Sequence, residues 1–250
     1  MIAHFSVRQV LATATLLAAF SLPSWADFSA CRTFFPQGHI PQLPSTAPGL
    51  QRQLCFSQFA ILHSGQSKTP LYVVERLNHR DYGEKIPRRN RFYEEARLPA
   101  AERARLIDYK QESATREESF DRGHMAPAGD MSTPEGMAQS FSLANVVPQA
   151  SEFNQKAWNQ IEQATRKYVK RASGDVYVFT GPVFDSPVRT LGPGRVWIPS
   201  HLFKLVYDPA TGKSWTHWMA NVDGVRVQRP ISYEELVRRT GVAFLGNMAL

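Results

Sequence analysis

The densest run of residues able to do chemistry is Phe120-Asp-Arg-Gly-His-Met-Ala-Pro-Ala-Gly-Asp130. If Asp121 to His124 end a strand, the two-residue period puts Arg122 and His124 on one face and Asp121 on the other. A cation beside an imidazole lowers the imidazole's pKa and offers a fixed positive group to an anionic substrate. That pairing suits a neutral histidine acting as general base near a phosphodiester. A lone loop histidine is more commonly a solvated side chain, so the motif needs support from elsewhere in the chain. It comes from Phe141-Ser-Leu-Ala-Asn-Val-Val-Pro-Gln149 and from Ser151-Glu-Phe-Asn-Gln-Lys-Ala-Trp-Asn-Gln-Ile-Glu162. The second stretch reads as the start of a helix with Ser151 as N-cap. Asn154 falls in its first turn, and Trp158 and Ile161 form the buried stripe. Glu162, eight residues on, is about 12 Å further along the axis. Asn154 and Glu162 therefore do not read as direct ligands of one ion. One Asn ligand, several waters and a remote Glu ordering those waters suit Mg²⁺, which keeps most of its hydration shell. Arg166, four residues beyond Glu162, reads as its helix-surface ion-pair partner.

The elements that would position these groups are short strands with few helices. Phe59 to His63 and Leu71 to Leu77 read as strands joined by the loop Ser64 to Pro70. Val176 to Thr180, Arg195 to Ile198, Leu202 to Tyr207 and Trp215 to Ala220 continue the pattern. Asp208-Pro-Ala-Thr-Gly212 is a turn, which favours an antiparallel hairpin. Pro99 to Leu106 reads as a helix. Ser232-Tyr-Glu-Glu235 is a capping box opening a helix that Gly241 ends. Asp27 to Leu54, rich in Pro and turn residues, reads as a surface wrap. Thr211-Gly-Lys-Ser214 resembles the tail of a phosphate-binding loop, but Tyr207 stands where the first glycine belongs and the segment lies in a hairpin. Strands outnumber helices without alternating with them, so the fold class is α+β, a single domain with a central antiparallel sheet flanked by helices.

Composition sets the compartment and the class of partner. The 250 residues carry 29 Lys plus Arg against 22 Asp plus Glu, a formal net charge of +7. That excess hints at a polyanionic partner. Ordinary apolar content excludes a disordered chain, and no apolar run in the body of the chain is long enough to span a membrane. Residues 1–26 read as a secretory signal peptide: Arg8 is the positive n-region, Val10 to Phe20 the apolar core, and Ser24-Trp25-Ala26 the cleavage site before Asp27. Cleavage leaves residues 27–250 as one domain carrying +6, since Arg8 is the only formal charge removed. The product is expected in the periplasm or outside the cell, with no stable membrane association. An exported chain with two cysteines, Cys31 and Cys55, is expected to join them in one disulfide.

Taken together, Asp121-Arg-Gly-His124, Asn145-Val-Val-Pro-Gln149 and Asn154-Gln-x-x-Trp158-x-x-x-Glu162 resemble the DNA/RNA non-specific endonucleases. These are the ββα-metal (His-Me finger) nucleases of the Serratia nuclease and endonuclease G type. Arg89-Asn-Arg-Phe92, Asp108-Tyr109, Val178-Phe-Thr-Gly-Pro182 and Ile198-Pro-Ser-His-Leu-Phe-Lys204 extend the resemblance over most of residues 27–250. It implies a ββα-metal site in which His124 is the general base and Asn154 the sole protein ligand of a hydrated Mg²⁺, with Mn²⁺ as a possible substitute. Glu162 would hold metal-bound water, Arg122 support the site, and Asn145 brace the loop around His124. Arg89 would clamp the scissile phosphate, with Arg91 competing for that place and Arg166 also available to substrate. Pro182 and Lys204 stand as fold markers. DNA and RNA would be the substrates, cut to leave 5′-phosphate ends. The alternative is a nucleic-acid-binding protein of the same fold without catalysis. Glu117-Glu-Ser-Phe120 and Ala96 depart from the family pattern outside the proposed chemistry.

Overall fold

The computed structural model describes residues 27–83, 86–88, 90–110 and 119–248. Residues 1–26, expected from the sequence to be a signal peptide, and Arg89 lie outside these. Six strands make the central sheet: β1 (Gln51–Cys55), β2 (Phe59–Ser64), β3 (Thr69–Leu77), β6 (Val176–Val183), β9 (His201–Asp208) and β10 (Lys213–Ala220). They lie in the order β1-β2-β3-β6-β9-β10, and every neighbouring pair is antiparallel. Two ribbons stand outside it, β4 (Phe120–His124) with β5 (Val146–Ala150) and β7 (Arg189–Leu191) with β8 (Val196–Ile198). Helices are α1 (Pro134–Ser140), the long α2 (residues 151–169) and α3 (Tyr233–Thr240). The architecture is α+β. Among the described residues no helix is long and apolar enough to cross a membrane.

Alternation along the strands sorts the apolar side chains onto two faces. One face carries Phe59, Ile61, Val73, Leu202 and Met219, and packs against Met125, Val147, Phe153, Trp158 and Ile161 from β4, β5 and α2. The other carries Ala60, Tyr72, Phe179, Phe203 and Leu205, and is covered by the N-terminal segment, α3 and Phe244. α3 begins as its sequence dictates, with Ser232 Oγ accepting from the backbone N–H of Glu235, and it ends at Gly241 with φ +70°. The Glu235 carboxylate does not return to the cap; it accepts from Arg238 and Arg239.

Two expectations fail. Residues 27–54 are not a mere wrap: they form 3₁₀ turns (Phe28–Phe34, Pro36–Gly38) and the edge strand β1, and they bury Phe28 and Phe35 in the core. A Cys31–Cys55 disulfide ties this segment to β1. Residues 99–106 form turns rather than a helix, followed by a 3₁₀ turn at Leu106–Tyr109. Tertiary contacts outweigh the local helix preference here. Glu102 is held by Arg52 (2.8 and 2.9 Å), Arg103 donates to the Glu95 and Leu98 carbonyls, and Asp108 accepts from the N–H of Arg105.

Candidate active site

The β4–β5 ribbon and α2 form one ββα unit. β4 pairs antiparallel with β5, so Gly123 faces Val147 and His124 faces Val146. A side chain at Gly123 would collide with the buried Gln149 side chain, which occupies the space beside it. The loop after His124 is fixed by Asn145. Its Nδ2 donates to the carbonyls of Ala126 (2.9 Å) and Ser140 (2.8 Å), its Oδ1 accepts from the N–H of Ala126 (2.9 Å), and its own carbonyl accepts from the N–H of Met125 (2.8 Å). Asn145 is wholly buried, and all of its polar groups are used.

α2 follows β5 directly, in three consecutive segments: Ser151–Phe153, a π-helical turn Asn154–Trp158, and Asn159–Val169. Ser151 is not its N-cap. Ala150 occupies that position, and the free N–H groups of Glu152 and Phe153 donate to Asp223 Oδ1 (2.8 and 3.2 Å), far along the chain. Asn221 beside it accepts from the N–H of Ala150 and donates to the carbonyls of Pro148 and Pro199. The Ser151 hydroxyl serves the site instead, donating to Asp121 Oδ1 (3.0 Å). The π turn decides where Asn154 points. Eight residues of regular α-helix rotate by about 800°, roughly 80° beyond two turns. A π turn absorbs one extra residue, which brings Asn154 and Glu162 toward one face.

Asn154 and Glu162 thus line one cleft of about 430 Å³ together with Arg88, Asp121, His124 and Arg166. A second hollow of about 340 Å³ shares Arg88, Asp121, His124 and Asn154 and continues past Phe92, Tyr109, Phe120 and Arg122. The His124 ring is half-buried between aromatic neighbours, with Phe141 edge-on at 5.0 Å and Phe92 at 5.3 Å. Its Nε2 is sheltered and has no hydrogen-bond partner. Burial first, then the charges of Arg88 and Arg122, push its pKa down to about 3, so the ring is neutral at pH 7. The Arg122 guanidinium lies over the Phe92 ring at 4.3 Å.

Asp121, given no part by strand alternation alone, organises the opposite wall. Its Oδ2 accepts from Asn154 Nδ2 (2.8 Å) and Gln155 Nε2 (2.9 Å). An ionised carboxylate only accepts, so the Asn154 amide must present its nitrogen to Asp121. The Asn154 Oδ1, a hard oxygen donor, is left free of protein partners among the described residues. Glu162 makes no side-chain hydrogen bond or ion pair among them, and burial raises its carboxyl to about 7 against the lowering influence of Lys204. Arg166 does not pair with Glu162. Its Nη1 donates to the buried Asp130 at 3.0 Å. Arg88 lines both hollows, whereas Arg91 is exposed and lines neither.

Residues 37–249 match the family model described as DNA/RNA non-specific endonuclease. The chain is 30% identical over 220 residues to the mitochondrial endonuclease G of Homo sapiens, covering 80% of this chain and 72% of that protein. It is 37% identical over 131 residues to nuclease C1 of Cunninghamella echinulata var. echinulata, covering 48% and 49%. In fold it is similar to a chain from the crystal structure of the EndoG/EndoGI complex, with a TM-score of 0.68 and 24% identity over 79% of this chain and 87% of that one.

Proposed function

The chain belongs to the DNA/RNA non-specific endonuclease family and is a nuclease; from that premise we propose that it hydrolyses phosphodiesters in DNA and RNA with His124 as general base and a hydrated Mg²⁺ held at Asn154. The observation that carries this is the neutral His124 ring sharing a cleft with an Asn154 amide that Asp121 locks oxygen-outward.

A divalent metal is typical of the family, and the residues present fit one. Among the described residues no cluster of three or more His, Cys, Asp or Glu side chains could enclose a metal. Asn154 Oδ1 is the amide oxygen that Asp121 turns outward into the cleft, and the Glu162 carboxylate stands off from it. That donor set suits a hard cation that keeps most of its waters, as Mg²⁺ does; Mn²⁺ would substitute. When bound, the ion would offset negative charge at the phosphate and at the leaving 3′ oxygen.

The chain's own residues supply the remainder. His124 accepts the proton of the attacking water at Nδ1, because Nε2 is buried. Its ring is held in place by Phe141 and Phe92 and by the Asn145-braced loop. Burial and, after it, the charges of Arg88 and Arg122 keep it neutral in the free protein, and an arriving phosphate would offset those charges and raise its basicity where the reaction needs it. Glu162 holds water in the cleft, and Arg88 and Arg166 attract phosphate oxygens without reading bases. Departure of the 3′ oxygen leaves a 5′-phosphate. Arg89 is proposed as a further phosphate contact from its sequence context alone.

Export completes the proposal. The apolar stretch Val10 to Phe20 after Arg8 and the Cys31–Cys55 disulfide both suit a protein delivered to an oxidising compartment. N-terminal sequencing of protein recovered outside the cytoplasm should begin at Asp27, and an intact Met1 terminus would overturn this part. For the chemistry, the full chain and His124→Ala are incubated with matched DNA and RNA in Mg²⁺ or Mn²⁺. Wild-type cleavage of both polymers to 5′-phosphate ends, lost in His124→Ala, is the expected result. An active His124→Ala would remove the general base, and binding without metal-dependent turnover would favour the non-catalytic reading.

A further inference from the structure

Beneath α2 the sheet carries polar side chains where packing alone calls for apolar ones. Thr180, Lys204 and His217 stand opposite one another on β6, β9 and β10. Glu75 on β3 is two residues from Val73, which stands opposite Thr180. All four therefore project from the face that α2 covers. Lys204 and Glu75 are each only 1% exposed. Burying an ammonium is costly unless its charge or its hydrogen bonds are used. One donor of Lys204 Nζ goes to Thr180 Oγ1 at 2.7 Å, and the group lies 5.5 Å from the centre of the Trp158 ring. Trp158 is one helical turn before Glu162 on the same side of α2.

Glu162 is the group above it that lacks support. Its carboxylate makes no hydrogen bond or ion pair among the described residues, and it opens into the cleft beside Asn154 and His124. The charges that act on it come from four elements: Lys204 on β9, Asp130 in the loop after β4, Arg166 on α2 itself, and Arg88 across the cleft. Lys204 is the strongest of the four. Asp130 and Arg166 pair with each other at 3.0 Å, so neither engages the Glu162 carboxylate. Glu75 does not claim Lys204 by hydrogen bonding, since neither of its oxygens has a partner. Burial, then Asp130 and Glu162, hold the Glu75 carboxyl well above the usual carboxylate range, against the lowering influence of Lys204. No carboxylate hydrogen-bonds or ion-pairs with Lys204 among the described residues, so its charge is available to Glu162 as well.

We propose that Lys204 is a positioning residue of the active site: anchored by Thr180, it supports the Glu162 carboxylate from beneath α2 and so maintains the group that orders water in the cleft. The inference rests on the reading of Glu162 given above and extends it to a side chain that touches neither substrate nor cleft water.

The test compares wild type, Lys204→Met, Lys204→Arg, Thr180→Val and Glu75→Gln as full chains, with two readouts. The first is the pH profile of plasmid cleavage in Mg²⁺. The second is the infrared titration of the Glu162 carboxyl in metal-free protein, assigned by difference against Glu162→Gln. Lys204→Met should move the acidic limb and the carboxyl titration upward by about one pH unit or more, with activity recovered at high pH. Lys204→Arg should restore the wild-type position. Thr180→Val, which loosens only the anchor, should shift both readouts the same way by less, and it decides the matter if Lys204→Met does not fold. Glu75→Gln should leave both in place, because Gln replaces a carboxyl that already holds its proton. Unchanged titration in a folded Lys204→Met, a uniform loss at every pH, or an equal shift in Glu75→Gln would each overturn the proposal. A wild type that cleaved nothing would end the nuclease reading, and the metal-free titration would still judge Lys204.

Discussion

The two faces of the central sheet are built to different ends. The face away from α2 is an aromatic cluster: Phe179 meets Phe35, Tyr72 and Phe244 with ring centroids 5.3 to 6.3 Å apart, and Phe203 meets Phe244 at 5.2 Å. The disulfide closes its edge. Even its cavity, of about 320 Å³, is walled mainly by apolar groups such as Leu43, Trp197 and Phe244. The face under α2 has a comparable apolar layer yet also buries Glu75, Lys204 and Thr180, with the Asp130–Arg166 pair beside them. Buried charge with incomplete hydrogen bonding lowers stability. Aromatic burial and a covalent staple on the opposite face offset that cost. The face that carries the proposed chemistry is therefore the electrostatically expensive one.

That division predicts effects that separate by face. The largest is kinetic: His124→Ala should lower kcat by about 10²- to 10⁴-fold and leave the melting temperature nearly unchanged. A large loss of stability in that variant would show that the two roles share residues. Next comes Phe179→Ala on the opposite face, expected to cost about 3–5 kcal/mol in denaturant unfolding while the folded fraction keeps its activity. Replacing Cys31 and Cys55 together by serine should cost about 3 kcal/mol for a loop of this length, again without changing turnover per folded molecule.

Smaller effects sharpen the comparison on the site's own side. Asp121→Asn removes the acceptor-only group that orients Asn154, so the half-saturating Mg²⁺ concentration should rise about 10- to 100-fold. An unchanged metal requirement would mean that the amide is oriented by something else. The smallest is a contrast between two histidines. His63 and His124 are both pushed from 6.5 down to about 3, chiefly by burial. Between those values the unfolded chain binds a proton that the folded chain refuses, so stability falls as pH drops through that window. Each such group contributes a slope of about 1.4 kcal/mol per pH unit. His63→Leu should flatten the slope of unfolding free energy over pH 3.5 to 6 and leave cleavage untouched, because His63 is fully buried with no group to act on. His124→Ala should flatten it equally while also lowering kcat as stated above.

Much of the site is legible because its information is local. Strand alternation places Arg122 and His124 together, helix periodicity buries Trp158 and Ile161, and the turn before Gly212 closes an antiparallel hairpin. Residue chemistry fixes what those groups can do: imidazole as base, an amide oxygen for a hard cation, guanidinium for phosphate. The strands β2, β3 and β9, buried on both faces, read correctly from their short runs of β-branched, aromatic and aliphatic residues bounded by turns. The failures lie where local preference was weaker than distant contacts. Residues 99–106 have helical composition, yet Glu102 and Arg103 are tied to Arg52 and to backbone carbonyls. Ser151 looks like a cap, yet Asp223 takes the helix N–H groups and frees Ser151 for Asp121.

The sequence by itself determined the inventory of reactive groups and the strand-dominated fold class, because propensity and periodicity act over a few residues; the ββα unit was implied by the family resemblance. Tertiary structure alone decided that Asp121 orients Asn154, that a π turn swings Asn154 and Glu162 onto one cleft, that Arg166 serves Asp130, and that Lys204 lies buried beneath the catalytic helix. Each depends on which groups lose water together. That is a property of packing between segments up to about a hundred residues apart, and no local pattern encodes it.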